Sequence, residues 1–337
     1  MKNPGAWKWM ALAALPVLPG CGYPQSPLSP AGDEADRLMS LLTLMLWVCG
    51  AVYLLLMGFL AAALWRNRHV LGRSEPDPEP VDRGMQVGLA GWTIIMIVGL
   101  TVLAGASFLA DRHFAMREAS NALAVRVTGH QWWWRIEYRD PISGGWIETA
   151  NELHLPQGRA ARIELNAADV IHSFWIPNLS GKIDMIPGHT NRLVVTPRRT
   201  GWFRGQCAEF CGLQHAQMAL DVKVESPSAF AGWLAAQERP ASAATGEATR
   251  GRQILTTGTC AQCHSVRGTE ARGRAAPDLT HVASRRSLAA GALPQTLGAL
   301  TGWIAQPQAI KPGAEMPPSG LSPADTLAVA LYLEGLK

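Results

Sequence analysis

The stretch Gly205-Gln206-Cys207-Ala208-Glu209-Phe210-Cys211-Gly212-Leu213-Gln214-His215-Ala216-Gln217-Met218 places two thiols, an imidazole and a thioether within twelve residues. A further histidine, His172, lies 35 residues before Cys207. Soft sulfur donors combined with imidazole favour copper over magnesium or calcium, and a weak methionine ligand is usual in electron-transfer copper sites. A closed zinc site could use Cys207, Cys211, His215 and His172 without Met218. In an oxidising compartment the two thiols could instead pair, although the His and Met that follow count against a disulfide. The surroundings favour copper. Residues 124–138, 161–175, 192–204 and 219–225 alternate β-branched and aromatic residues with turn residues between them, the pattern of a small β-sandwich or barrel. One histidine on an earlier loop and the other ligands on a later one would form a rigid cage at one edge.

A second redox motif follows. Cys260-Ala261-Gln262-Cys263-His264 is the attachment signature of a c-type haem. Cys260 and Cys263 would bond the haem covalently and His264 would be the proximal iron ligand. Met316, in Lys311-Pro312-Gly313-Ala314-Glu315-Met316-Pro317, is the only methionine after residue 264 and is the distal candidate. His281 is its rival. Met/His ligation raises a haem potential, as a donor to copper needs. Helices are expected near Thr249 to Thr257 and Ser322 to Leu336. Two redox centres in series on one chain point to electron transfer.

The chain has 337 residues, 48% apolar and only 17% charged, a balance high for a soluble protein. Residues 38–65 contain no charge over 28 positions and residues 84–110 none over 27, against the ~20 that a membrane-crossing helix needs. A buried pair of soluble helices is the alternative. The connection from Arg66 to Arg83 carries four arginines in 18 residues, which keeps it cytoplasmic and sends both ends of the hairpin outward. Lys2 and Lys8 precede an apolar run from Trp9 to Leu18, as in a signal peptide over residues 1–20. Leu18-Pro19-Gly20-Cys21 resembles a lipoprotein cleavage site, with Cys21 as the lipidated thiol. Cys49 lies within the first apolar run and acts as a small apolar residue. The net charge of +4, with no basic run, gives no sign of a nucleic-acid partner.

Val170-Ile171-His172-Ser173-Phe174-Trp175-Ile176-Pro177, the Cys207 to Met218 motif and Gly129-His130-Gln131-Trp132-Trp133-Trp134 together resemble subunit II of haem-copper cytochrome c oxidases, over about residues 22–225. With the haem motif added, the resemblance is to the caa3 type. It implies a multidomain membrane protein: a two-helix transmembrane hairpin (38–65 and 84–110), an all-β cupredoxin domain (120–226), a linker (227–245) and an all-α class I cytochrome c domain (246–337).

The resemblance also implies a dinuclear copper centre, CuA. Cys207 and Cys211 would bridge both coppers, His172 and His215 would each bind one, and Met218 and the Glu209 carbonyl would be weak ligands. The Glu209 side chain would hold a magnesium or manganese ion shared with subunit I, with Asp184 in the same region. The alternative is that both carboxylates are only solvated or salt-bridged. Trp132 would be the aromatic through which electrons reach CuA, while Trp134 is packing. The Pro277 carbonyl would accept a hydrogen bond from His264. Leu89 stands where many relatives carry a glutamate for proton uptake, which puts that route in doubt here.

The implied partners are subunit I, with haem a and the haem-copper site, subunit III, membrane lipid, and cytochrome c or a quinol-cytochrome c reductase as donor. The implied location is the bacterial cytoplasmic membrane, with the soluble domains on the periplasmic side. No residue looks like a nucleophile or general acid/base for substrate chemistry, so oxygen reduction and proton translocation belong to the complex. A CuA-containing nitric oxide reductase and a copper-delivery protein are the alternatives, and a delivery protein has no need of a haem domain.

Overall fold

The computed structural model describes residues 24–68, 83–115, 121–140 and 143–337. The expected signal peptide, Cys21 and most of the arginine-rich connection lie outside the described residues. Helices α1 (Asp33–Asn67) and α2 (Arg83–Ala115) pair as a hairpin. At 1.5 Å per residue, the 35 residues of α1 reach about 50 Å, more than a hydrocarbon core. Their apolar side chains point outward all round, with Trp47 and Phe59 each 76% exposed, as a lipid-facing helix requires. The first turn of α1 carries Asp33, Glu34 and Asp36, favourable at a helix N-terminus. It is pinned to the β-domain: Arg198 bonds Asp33 and Asp36, Glu34 accepts from the Thr196 amide at 3.1 Å, and Ala31 donates to the Asn178 carbonyl at 2.6 Å.

The β-domain is a sandwich of two five-stranded sheets. One has the order β3 (Trp146–Ala150), β2 (Trp133–Arg139), β1 (Leu123–His130), β5 (Ala161–Ala167), β8 (Asn191–Val195). The other has the order β4 (Glu152–Pro156), β10 (Ala219–Glu225), β9 (Gly201–Cys207), β6 (His172–Trp175), β7 (Ile183–Met185). The period-two pattern is plain in β1 and β9, whose burial alternates residue by residue. Trp134, Ile136, Tyr138, Leu153, Ile163 and Phe174 fill the core between the sheets.

Residues 124–138 fold as a hairpin, with Trp132 in its turn. One expectation changes. Residues 227–245, expected as a linker, begin with helix α3 (Pro227–Glu238). Ser226 caps it by accepting from the Ala229 amide, Pro227 occupies its first turn, and Phe230 and Leu234, four apart, are buried in the sandwich core. The connector therefore shortens to the residues after Glu238. Beyond it, α4 (Glu247–Thr257), α5 (Cys260–Cys263), a short hairpin of β11 (Ser287–Leu288) and β12 (Leu293–Pro294), α6 (Leu297–Ala305), α7 (Pro307–Ile310) and α8 (Pro323–Glu334) build a small helical domain around its own core.

Helix α3 is held by a buried charge cluster. His154 stacks on Trp233 with centroids 3.9 Å apart, while its Nδ1 lies 2.7 Å from Glu225 and its Nε2 2.9 Å from Glu152. Burial works against the imidazolium, but the two carboxylates outweigh it and raise the His154 pKa above its usual 6.5. Burial likewise opposes the Glu225 carboxylate, yet His154 holds its pKa below 4.5. A raised histidine contributes stability that is complete below 6.5 and lost as pH rises through its folded value. A lowered carboxyl contributes stability that is complete above 4.5 and lost as pH falls through its folded value. The contribution of the pair is thus greatest between these limits. We expect Glu225→Gln to cost about 3–5 kcal/mol there and clearly less in alkaline solution, by calorimetry of the detergent-solubilised chain. Equal losses in both conditions would rule out the imidazolium pair.

Candidate metal centre and haem cleft

Strand β6 pairs antiparallel with β9, with Phe174 opposite Cys207, so His172 at the start of β6 lies beside the end of β9. The β9–β10 connection then folds back, its ends paired through Gln206 and Ala219, and returns His215 and Met218 to the same point. Cys207 Sγ lies 3.9 Å from His172 Nδ1 and 3.7 Å from Cys211 Sγ; Cys211 Sγ lies 3.6 Å from His215 Nδ1 and 3.8 Å from Met218 Sδ. The Glu209 carbonyl is 3.2 Å from Cys207 Sγ.

A disulfide requires sulfurs about 2.05 Å apart, so the 3.7 Å spacing leaves two free thiols side by side. His172, Cys207, Cys211 and Met218 are buried. Three sulfurs and an imidazole pair facing a common centre fit copper. The contact between the thiols, reinforced by His172, pulls the Cys207 pKa far down and pushes that of Cys211 up, so the site is poised to hold at least one thiolate.

The cage is braced from outside. Asp169 Oδ1 lies 2.7 Å from His172 Nε2, leaving Nδ1 to face the sulfurs. The same carboxylate accepts from the Gln131 amide at 2.6 Å. Trp132 Nε1 and Gln131 Nε2 both donate to the Cys211 carbonyl, at 2.9 and 2.8 Å. Gly129 on β1 is obligatory: a Cβ there would stand 2.8 Å from the His172 ring. Trp134 belongs to the core, edge-on to Phe174 at 5.8 Å. Trp133 instead stacks on His130 at 4.4 Å. The side-chain carboxylates of Asp184 and Glu209 lie outside this cage. Glu209 is half-exposed with Lys182 Nζ 3.8 Å away, and Asp184 is exposed on β7.

In the helical domain, Cys260, Cys263, His264 and Met316 line one cavity of about 360 Å³. His264 Nδ1 lies 2.8 Å from the Pro277 carbonyl, which leaves Nε2 as the free ring nitrogen. Both nitrogens of the rival His281 lie 3.1 Å from backbone carbonyls, those of Lys337 and Arg239, so neither is available to iron. Met316 is placed through its carbonyl, which accepts from Gln308 at 2.8 Å. Arg285 borders the cavity, and its buried Nε has no partner. Burial lowers its pKa. With Nη2 bonded to the Asp278 carbonyl at 2.5 Å, the unpaired Nε at an apolar cleft fits a ligand that carries a carboxylate, as haem does.

The remaining wall of this cleft comes from the β-domain, as Trp132 and Trp133. Sequence reasoning did not anticipate this junction, nor Asp169 and Arg285. Asp169, three residues before His172, was readable as an orienting carboxylate; Arg285 carried no signal beyond its proximity to the haem motif.

The family description "Cytochrome C oxidase subunit II, periplasmic domain" matches residues 143–225, and "Cytochrome c" matches residues 248–337. Cytochrome c oxidase subunit 2 of Alkalihalophilus pseudofirmus is 32% identical over 318 residues, covering 92% of this chain and 90% of the relative. That of Bacillus subtilis is 32% identical over 355 aligned positions, covering 98% of each. Among solved structures, the periplasmic domain of subunit II of cytochrome oxidase from Bradyrhizobium japonicum is 33% identical and covers 34% of this chain and 93% of that one, with a TM-score of 0.32. The first matched domain implies CuA copper and the second implies haem c. A full-length match at this identity, with both domains in the same order, establishes that the chain belongs to the cytochrome c oxidase subunit II family, in the form that carries a fused C-terminal cytochrome c domain.

Proposed function

We propose that CuA is held by Cys207, Cys211, His172, His215, Met218 and the Glu209 carbonyl, that haem c is held by Cys260, Cys263, His264 and Met316 with Pro277 orienting His264, and that Trp132 joins the two sites. When bound, these groups supply one-electron carriers in series, by which this subunit passes electrons to subunit I for reduction of oxygen. The observation that carries the reading is the position of Trp132. Its indole N–H is bonded to the Cys211 carbonyl at 2.9 Å while its ring forms part of the haem cleft wall.

The chain's own residues do three things. The β9–β10 loop and β6 hold the copper ligands in a closed, buried cage, which limits movement when charge changes. Asp169 fixes the ring of His172. His264, oriented by Pro277, presents one nitrogen to the cleft, where Met316 would be the second ligand to a bound haem, a pairing that raises its potential.

The finer partners belong to the same proposal. The exposed ring of Phe210, 76% accessible beside the half-exposed Glu209, supports a subunit I contact there with a magnesium or manganese ion on the Glu209 carboxylate. A reduced cytochrome c or a quinol-cytochrome c reductase is the donor, and subunit III and lipid complete the surroundings. The arginine-rich connection supports helices in the bacterial cytoplasmic membrane with both soluble domains on the periplasmic side. Lipidation of Cys21 after removal of a signal peptide is the remaining part.

The direct test is to purify the complex through a tag on this chain and measure gas consumption with reduced cytochrome c. Cyanide-sensitive oxygen uptake is expected; turnover of nitric oxide alone would remove the oxidase role. Cys211→Ser should abolish the copper signal in electron paramagnetic resonance while leaving the haem c spectrum intact. Asp169→Asn should weaken copper retention by about 10–100-fold, read as copper per haem after dialysis against a chelator. Met316→His should lower the haem c potential in a redox titration; an unchanged potential would exclude Met316 as the axial ligand.

A further inference from the structure

Lys311 is a proposed ligand of neither centre, yet it is one of the most deeply buried cations among the described residues. It belongs to the cytochrome domain, five residues before Met316, and is 3% exposed. Its Nζ donates to three backbone carbonyls: Trp132 at 2.7 Å and Gln217 at 2.9 Å in the β-domain, and Ala289 at 3.0 Å in its own. None of these partners is a carboxylate. Taking an ammonium out of water with only neutral acceptors is costly, and burial pulls its pKa down to about 7. Its three bonds fix how the two domains meet.

That geometry converges on one surface. Ala289 and Ala290 hold φ of 51° and 59°, the left-handed region that alanine avoids. The strained turn presents the Ala289 carbonyl to Lys311 and the Ala290 carbonyl to the Ala219 amide at 3.0 Å, one residue after Met218. Next to Lys311, the Pro312 carbonyl accepts from Gln214 at 2.8 Å. Gly313, at φ 84°, lies so flat on the β-domain that a Cβ there would stand 3.1 Å from Leu213 and 3.5 Å from the Trp132 ring. The loop that carries the candidate haem ligand thus lies on the aromatic that is bonded to the candidate copper ligand.

We propose that Lys311 is a positioning residue for electron transfer between the two domains: bound by the carbonyls of Trp132, Gln217 and Ala289, it clamps the Met316 loop onto Trp132 and reserves that face for the chain's own cytochrome domain against a soluble donor. The proposal rests on the reading of Trp132 as the link between the centres. A soluble cytochrome then reaches CuA only by way of haem c, because the face it would otherwise use is already covered.

The test uses the purified holo-complex carrying Lys311→Met, which keeps the length and apolar stem but removes charge and donors. Stopped-flow mixing with reduced soluble cytochrome c should show haem c reduced before CuA in the native complex. In Lys311→Met the step from haem c to CuA should slow by roughly tenfold or more. A parallel phase that reduces CuA without haem c should appear, and hydrogen exchange should rise at the backbone amides of Gln131 to Trp133. Lys311→Arg, retaining charge and donors, should recover part of the rate. If Lys311→Met loses metal or haem, Gln214→Leu weakens the same loop contact at Pro312 and should shift all three readouts in the same direction. A transfer rate indistinguishable from the native one, or a slower rate without increased exchange, would overturn the proposal. Trp132→Leu with Lys311 intact tests the path alone: if transfer is unaffected there, the reading of Trp132 fails independently of the clamp.

Discussion

Antiparallel pairing of β6 with β9, with Phe174 opposite Cys207, is the constraint from which the rest of the site follows. His172 lies 35 residues from Cys207 in sequence, and only a sheet neighbour can hold the two within 3.9 Å. The register leaves no slack, because a slip of one residue would turn His172 and Phe174 to the opposite face. The β9–β10 connection then closes on itself through Gln206 and Ala219. Its intervening loop returns Cys211, His215 and Met218 to the same centre. A rigid sandwich therefore bears the cost of gathering polar and sulfur groups that a flexible loop could not keep together.

Outside the cage, polar groups connect the site to its surroundings. The Cys211 carbonyl accepts from two residues of the β1–β2 turn, Gln131 and Trp132. The amide of Gln131 and the ring of His172 share the carboxylate of Asp169. Movement at the copper loop is thus coupled to the turn that carries Trp132, and through the Trp132 carbonyl to the cytochrome domain. The domain junction is polar: Lys311 is bound by backbone carbonyls, while Arg286 donates its amide to Glu152 at 2.6 Å and its guanidinium lies 3.8 Å from Asp221.

At the opposite end of the sandwich, acidic residues in the first turn of α1 meet Arg198. The membrane hairpin is therefore anchored to the β-domain through the first turn of α1. Helix α3 belongs to the sandwich rather than to a tether, since Phe230 and Leu234 enter the core and Trp233 covers His154. With α3 packed in this way only a short connector separates the domains, and the cytochrome domain is held close to the face it occupies.

Much of this was legible in the residues alone. Local signals carry their own chemistry: the Cys207 to Met218 cluster, the Cys260 to His264 signature and two charge-free runs longer than a bilayer needs. Period-two patterning was enough for the fold class of the β-domain, since alternation of faces is a property of any strand with one buried side. What depended on distant partners was not legible. The break of residues 124–138 into a hairpin, with Trp132 at its turn, rests on pairing with β5 and on the Cys211 carbonyl. The helix at 227–238 was readable in Ser226 and Pro227, but its membership of the sandwich was decided by the groove that takes Phe230 and Leu234. Lys311 looks in sequence like any surface lysine. Only the packing of two domains could remove its ammonium from water and surround it with three carbonyls, because burial is a property of the assembled surface and not of the residue.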